Sequence, residues 1–158
     1  MLISLHVKNL ALIEEAEVDF TRGLNILSGE TGAGKSIIIG SINLALGEKV
    51  QKEMLREDPQ TGEFAPALVE LVFTFDSSER IAQKLAEMDL PEEDGTVTIA
   101  RKISQGRSVS RINGETVSAR QLKELSELLI DIHGQHTGRG PCIYDSGVNR
   151  IVAVIWIP

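Results

Sequence analysis

An eight-residue segment at positions 29–36 constrains the fold of this chain more than any other feature. Its residues are Gly29, Glu30, Thr31, Gly32, Ala33, Gly34, Lys35 and Ser36. They fit the pattern G-x-x-x-x-G-K-[ST], and an apolar run at 24–27 precedes them while apolar residues with helical spacing follow. A glycine turn with a chance lysine is the alternative, which the strand–loop–helix setting makes the weaker interpretation. The segment therefore predicts a phosphate-binding loop between a buried strand and a helix.

The residue types in this segment suit the binding of a nucleoside triphosphate. Glycines let consecutive backbone amides curl around a phosphate, and the following helix directs the positive end of its dipole toward the same anion. We expect Lys35 to reach the β- and γ-phosphates and the Ser36 hydroxyl to ligate Mg²⁺. The loop by itself does not distinguish ATP from GTP.

The remaining pattern predicts a mixed α and β fold. Alternating apolar residues predict strands at 2–7, 13–20, 67–75, 96–104 and 108–113. Apolar residues with helical spacing predict helices at 34–46 and from Ser77 or Ser78 to about Met88. Asn113-Gly114 predicts a tight hairpin, and Ser118 is expected to cap a third helix.

Composition narrows the class of protein. The net charge of −7 gives the whole chain no attraction to nucleic acid, so any such contact has to come from a local basic patch. The single cysteine excludes an internal disulfide. No secretory signal is evident, and the apolar run 151–157 is shorter than the roughly 20 residues of a membrane span. We expect a soluble, cytoplasmic protein without a membrane partner.

A second segment, at positions 128–135, has three possible interpretations. It is an apolar strand that ends in a magnesium-binding Asp131, as in a small-molecule kinase. It is the D-x-x-G-Q of a GTPase, in which Asp131, Gly134 and Gln135 lie near the γ-phosphate. Alternatively, it is a strand that delivers Gln135 to the metal and the attacking water. The GTPase interpretation is disfavoured because no N-K-x-D motif occurs and Asp131 lies far from Lys35 in sequence.

Taken together, several segments resemble the RecN family of bacterial DNA double-strand-break repair proteins, in the SMC-like branch of the ABC ATPases. The resemblance covers about residues 1–136. It is carried by the opening 7–15, the run 23–39 that includes the phosphate loop, the hairpin 111–114, and the segment 129–136. It implies a P-loop fold of the ABC or SMC head kind, represented by its N-terminal lobe, with a mixed sheet and an antiparallel β portion.

The resemblance also implies site residues and partners. Gly32, Ala33, Gly34, Lys35 and Ser36 would hold the phosphates of ATP and its Mg²⁺. Gln135 would sense the metal and the γ-phosphate, which favours the third interpretation above. Arg56 would lie near the nucleotide, although a solvated loop charge is the simpler interpretation, and Lys8 and Asn9 would lie near the base. DNA would be a partner of the whole protein, which is expected at the nucleoid.

Residues 137–158 depart from the family pattern. The ABC signature motif, the Walker B acidic pair and a heptad run are missing from this sequence. We therefore expect hydrolysis to require the C-terminal half of the head and a second head, and this chain alone to be nearly inactive. The tail 137–158 is expected to be foreign to the family or disordered.

Basic residues cluster between positions 101 and 120. They are Arg101, Lys102, Arg107, Arg111 and Arg120, with one acid, Glu115, among them. On strands and hairpins they could follow nucleic-acid phosphates. The alternative is a solvated sheet face that balances the acidic turn at 89–94, and the lack of aromatic residues favours this alternative.

Overall fold

The computed structural model describes residues 1–27, 34–57, 60–75, 79–104, 107–129, 142–145 and 151–157. Within these ranges the chain forms strands, α-helices and a short 3-10 turn, Lys52–Met54. The strands are β1 (Leu2–Leu10), β2 (Ile13–Asp19), β3 (Gly23–Leu27), β4 (Ala67–Thr74), β5 (Thr96–Ser104), β6 (Arg107–Ile112), β7 (Glu115–Val117), β8 (Cys142–Asp145) and β9 (Ile151–Ile157). The helices are α1 (Gly34–Ala45), α2 (Glu79–Glu87) and α3 (Ala119–Leu129).

A six-stranded antiparallel sheet in the order β2-β1-β4-β5-β6-β7 forms the larger part of the fold. Strand alternation gives it an inner face, where Val69, Leu71 and Phe73 of β4 are fully buried. Helix α1 packs against β1, β4 and β5, and buries Ile38 and Ile42. Each such side chain contributes roughly 1.5–3 kcal/mol by leaving water. The core thus lies between this sheet and the helix that follows the predicted phosphate loop.

The β6–β7 hairpin forms at the predicted Asn113-Gly114 pair. Both residues have positive φ, 47° for Asn113 and 82° for Gly114. Asparagine tolerates this conformation because its side chain is short and polar, and glycine because it has no Cβ. The buried Asn113 side chain also accepts a hydrogen bond from the Thr98 amide at 2.8 Å and donates one to the Pro91 carbonyl at 2.7 Å. One side chain therefore joins the hairpin to β5 and to the turn at 91–94.

Helix α3 begins at the predicted cap. The Ser118 hydroxyl accepts a hydrogen bond from the Gln121 amide, and the Gln121 side chain accepts one from the Ser118 amide, at 3.3 and 3.0 Å. This reciprocal arrangement satisfies two amides that the first turn leaves free. The helix buries Leu122 and Leu125 and contacts α2 and β6.

Two expectations about the first 30 residues are wrong. Strand β1 does not end at residue 7, as predicted, but continues to Leu10, because Asn9 takes a positive φ of 52° without leaving the strand; the turn falls at Ala11 and Leu12. The strand expected to be buried, β3, has Leu24 and Ile26 exposed by 56% and 57%. In the described residues β3 pairs only with β9, in a three-stranded antiparallel sheet ordered β3-β9-β8. Among the described residues nothing covers the side chains of Leu24 and Ile26.

The tail expected to be foreign or disordered contributes β8 and β9 to this sheet. The backbone of β9 pairs with β3 along its whole length, from Gly23 opposite Ile157 to Leu27 opposite Ala153. The expectation that residues 137–158 are foreign to the family or disordered stays a prediction. None of the described helices is both long and apolar enough to cross a membrane.

Arg101 links the sheet to the end of α1. It lies on β5 between Ile99 and Ile103 on the inner face and is 8% exposed. Its Nη1 donates to the carbonyls of Leu44 and Glu48, both at 2.6 Å, and its Nη2 donates to Ser108 Oγ at 3.1 Å. Burial lowers the pKa of this guanidinium below its ordinary value. Since α1 has no basic residue in its last turn, Arg101 supplies the cation that its C-terminal carbonyls attract.

Replacing Arg101 by methionine should lower the free energy of unfolding by about 2–4 kcal/mol, because buried carbonyls lose a charged donor. Urea denaturation of the variant and of wild type measures the difference. Lys102→Met is the matched control: Lys102 is exposed on the same strand, so its loss should change stability by less than about 0.5 kcal/mol. Equal effects for the two variants would contradict the role given to Arg101.

The lowered pKa of Glu124, at the contact between α2 and α3, predicts that the stability of the fold depends on pH. Its carboxylate lies 2.8 Å from both Lys84 Nζ and Arg120 Nε, and these two hydrogen-bonded cations lower its pKa from 4.5 to about 2. A lowered pKa in the folded state stabilises the fold above pH 4.5, and this contribution is lost as the pH falls toward 2. The stability difference between wild type and Glu124→Gln should therefore shrink from pH 6 to pH 3 in chemical denaturation. A stability difference that stays constant with pH would contradict the role given to the Glu124 carboxylate.

Candidate functional site

The predicted phosphate loop connects β3 to α1. Strand β3 ends at Leu27 and helix α1 begins at Gly34. Five of the predicted phosphate-binding residues, Gly29, Glu30, Thr31, Gly32 and Ala33, lie outside the described residues. The backbones of Gly34, Lys35 and Ser36 form the first turn of α1. The predicted strand before this segment and the predicted helix after it are thus observed, while the roles of the loop residues stay a prediction.

The charge distribution along α1 suits an anion at its N-terminus. The helix has 12 residues and no acidic residue in its first turn, so no side chain of that turn neutralises the positive end of its dipole. At the other end, Arg101 binds the free carbonyls. The first turn of α1 also contains a lysine and a serine, Lys35 and Ser36, which are the residue types that the predicted phosphate loop requires.

Asp131, Gly134 and Gln135, on which the three interpretations of the second segment depend, all lie outside the described residues. Gln135 as a metal and γ-phosphate sensor therefore stays a prediction. Among the described residues, no group of three or more histidine, cysteine, aspartate or glutamate side chains is arranged to hold a metal ion.

Arg56 lies beside the β1–β2 hairpin, directly after the 3-10 turn. Leu55 forms an antiparallel bridge with Leu10, and the Ala11 amide donates to the Met54 carbonyl at 2.8 Å. The Arg56 guanidinium is 3.8 Å from the carboxylate of Glu14, and its side chain is 37% exposed. Among the described residues this exposed ion pair is the only one that the Arg56 side chain forms, and it contributes at most about 1 kcal/mol.

Lys8 and Asn9, which the family resemblance puts near the base, are both engaged. Lys8 lies 3.6 Å from Glu15, and His6 hydrogen-bonds the same carboxylate at 3.0 Å. The hydrogen bond from His6, followed by the charge of Lys8, lowers the pKa of Glu15. The Asn9 amide donates to the Pro66 carbonyl at 3.1 Å. These contacts fix the end of β1.

The five clustered basic residues separate into different environments. Arg101 is buried and structural, so its inclusion in a surface patch is wrong. The sequence already indicated the burial of Arg101, because two-residue spacing puts Arg101 on the same face of a strand as Val97, Ile99 and Ile103. Arg120 is on α3, in an ion pair with Glu124. Lys102, Arg107 and Arg111 stay exposed on β5 and β6.

Comparison with known proteins identifies the class. The sequence profile of the AAA domain family matches residues 4–137, which is most of the chain. The solved structures with a similar fold include an SMC ATPase described for ATP-driven dimerization and DNA-stimulated activation, with a TM-score of 0.62 and 19% identity over 82% of this chain and 80% of that one. The Smc head domain derived from Pyrococcus furiosus has a TM-score of 0.60 and 18% identity, over 83% of this chain and 34% of that one.

The chain therefore belongs to the AAA domain family, with the P-loop α/β fold of SMC-type heads, and the predicted fold class is confirmed. Within that class it matches one particular protein, the DNA repair protein RecN. It is 44% identical to RecN of Bacillus subtilis over 86% of this chain and 23% of the relative, and 35% identical to RecN of Haemophilus influenzae over 88% and 25%. The predicted resemblance to RecN is confirmed.

The match to RecN of Synechocystis extends further. It is 38% identical over 95% of this chain and 25% of the relative. Since residues 1–136 are about 86% of the 158, this alignment includes part of 137–158. The chain spans about a quarter of the length of these relatives.

Proposed function

We propose that this chain is the ATP-binding part of the head domain of a bacterial DNA double-strand-break repair protein of the RecN kind. The observation that carries the proposal is a Gly-Lys-Ser first turn on a helix that follows β3 and has no acidic residue near its start. The identity of 32–44% to curated RecN proteins supports the same function. Mg²⁺ with a nucleoside triphosphate would use the amides, the lysine and the hydroxyl together, and the similarity to RecN favours ATP as that nucleotide.

In this proposal each residue of the site has a separate task. Amides of residues 29–34 surround the phosphates, and Lys35 neutralises the β- and γ-phosphate oxygens. Ser36 and Gln135 contribute oxygen ligands to Mg²⁺, which withdraws charge from the γ-phosphate. Arg56 approaches the phosphates from the side of the β1–β2 hairpin after releasing Glu14.

Hydrolysis then depends on groups outside this chain. No general base is assigned here, and the relatives are about four times longer. The C-terminal half of the head and a second head are the proposed partners. A specific support is β3, because Leu24 and Ile26 expose apolar surface beside the loop that a further layer would cover. The related SMC ATPase is described as dimerising in an ATP-driven manner.

The proposed setting is the bacterial cytoplasm, at the nucleoid, where the parent protein would act on DNA. Curated relatives of this kind are named for DNA repair. A P-loop GTPase or a small-molecule kinase that uses Asp131 is the competing enzyme class. Calorimetric titration with ATP and with GTP distinguishes the nucleotide, and phosphate transfer to an added small acceptor would identify a kinase.

Mg²⁺-ATP should raise the melting temperature of this chain. At ten times the Kd, binding stabilises the folded state by about 1.4 kcal/mol, or roughly 3–5 °C for a domain of this size. Lys35→Ala should abolish the shift because the β- and γ-phosphates lose their counter-charge. Differential scanning fluorimetry with ATP, GTP and no nucleotide measures it.

Lys49→Ala is the matched control for this experiment. Lys49 is an exposed lysine just beyond the opposite end of α1, so its removal changes the net charge equally without touching the loop. The control should keep the full ATP shift. If both lysine variants lose the shift, or neither does, the phosphate site is not at the start of α1.

Steady-state ATP turnover by this chain alone should stay at the background rate of phosphate release. The phosphate-binding loop positions ATP, but a positioned base for the attacking water is not among the residues assigned to the site. A coupled phosphate assay on wild type and on Lys35→Ala should give the same rate. Sustained turnover that requires Lys35 would mean that the chain carries its own base.

A further inference from the structure

We propose that the outer face of the β5–β6 hairpin binds the phosphate backbone of duplex DNA through Lys102, Arg107 and Arg111. This inference rests on the proposed function for the class of partner and adds the surface that makes the contact. The three residues are called the basic cluster below. All three are exposed, and none of them forms an ion pair with any residue that the structure describes.

Strand register puts the cluster on one face. Across the β5–β6 ladder Ser104 is opposite Arg107, Lys102 is opposite Val109, and Ala100 is opposite Arg111. Directly opposed residues point to the same side of a sheet, and this side is the one away from Arg101 and the core. The three cations therefore form a triangle on the surface opposite α1.

The dimensions of the triangle fit a nucleic-acid backbone. Arg107 and Arg111 are four residues apart on one strand, roughly 13 Å, and Lys102 is on the neighbouring strand midway between them. Since phosphates on one strand of a duplex recur every 3.4 Å or so along the axis, 13 Å corresponds to roughly four base steps. The cluster can thus reach several phosphates of one strand without a change in the sheet.

The surroundings leave the cluster accessible. Its nearest neighbours on this face include Ser104, Val109 and Thr116, which are small or apolar, and hydroxyl side chains are themselves frequent phosphate ligands. Glu115 is opposite Ile112 on the adjacent strand and so points to the other face, and on the outer face the nearest acid by register is Glu70, with Ala100 between it and Arg111. Among the described residues neither acid forms an ion pair with the cluster. No aromatic residue is present to stack on bases, so the surface suits a duplex backbone more than a single strand.

The other end of the same face has the opposite charge. Glu15, Glu17 and Asp19 of the edge strand β2 lie four strands from β6, roughly 19 Å away. This distance exceeds the screening length of about 8 Å at physiological salt, so these acids do not neutralise the cluster. They repel phosphates from their own edge, and the duplex is therefore directed to the β5–β6 end. The alternative was that the basic residues balance the acidic turn at 89–94. Among the described residues no ion pair joins that turn to a basic residue between 101 and 120.

The test is fluorescence anisotropy of this chain with a labelled 24-base-pair duplex, and with one of its strands alone, at several salt concentrations. Lys102→Gln/Arg107→Gln/Arg111→Gln should raise the Kd for duplex at least about tenfold and reduce the slope of log K against log salt by about 2.7, which is three lost phosphate contacts. The conservative variant Lys102→Arg/Arg107→Lys/Arg111→Lys should retain the slope.

Lys49→Gln/Arg80→Gln/Lys123→Gln is the matched control, since it removes three exposed cations elsewhere and changes the net charge equally. Equal loss of binding in both triple variants, unchanged binding in the cluster variant, or no duplex binding by wild type would each overturn the inference. A melting temperature within about 2 °C of wild type excludes unfolding, and if the triple glutamine variant does not fold, Arg107→Gln alone should reduce the slope by about 0.9. The ATP-dependent melting shift is measured in parallel. If it persists while DNA binding is absent, the surface is wrong and the nucleotide-binding function stands.

Discussion

The packing of α1 on the inner face of the six-stranded sheet is the interaction on which the proposed site depends. A phosphate-binding turn has no rigidity of its own, and its amides point in a useful direction only if the helix behind them is fixed. Ile38 and Ile42 bury the middle of that helix against β1, β4 and β5, and the Arg101 guanidinium holds its last carbonyls. Burial provides most of the free energy, and the charged hydrogen bonds provide the direction.

Strand β5 has two roles because of its two-residue periodicity. Arg101 faces inward to the end of α1, and the next residue, Lys102, faces outward within the basic cluster. Ser108, which accepts a hydrogen bond from Arg101, lies on β6, and the same strand carries Arg111. A surface for DNA and the anchor of the nucleotide-binding helix would thus share one hairpin, with no mobile linker between them.

Local patterns predicted most of the fold. The alternation in β4 and β5, the Asn113-Gly114 turn and the Ser118 cap each depend on neighbouring residues, so one sequence is enough to recognise them. The failures concern long-range contacts. Arg101 was assigned to a surface because its charge was weighed without its position on the inner face, and its partners at Leu44 and Glu48 are more than 50 residues away. Likewise, the apolar composition of β3 predicted burial, but the covering layer is not among the described residues.

For the site, the motif gave the location of the loop and the family resemblance gave Gln135.

The pairing of β3 with β9 has a consequence for assembly. Five backbone positions of β3 are already matched to β9, in an antiparallel register. A partner strand arriving on that side has to displace β9 before it can form its own ladder, whereas one arriving on the opposite side adds directly. The first route is a strand exchange, whose rate is limited by the detachment of β9 and is independent of partner concentration at saturation. In the second route the association rate rises with partner concentration throughout, because no prior detachment of β9 is needed. The order of the association kinetics therefore reports which side of β3 a partner occupies.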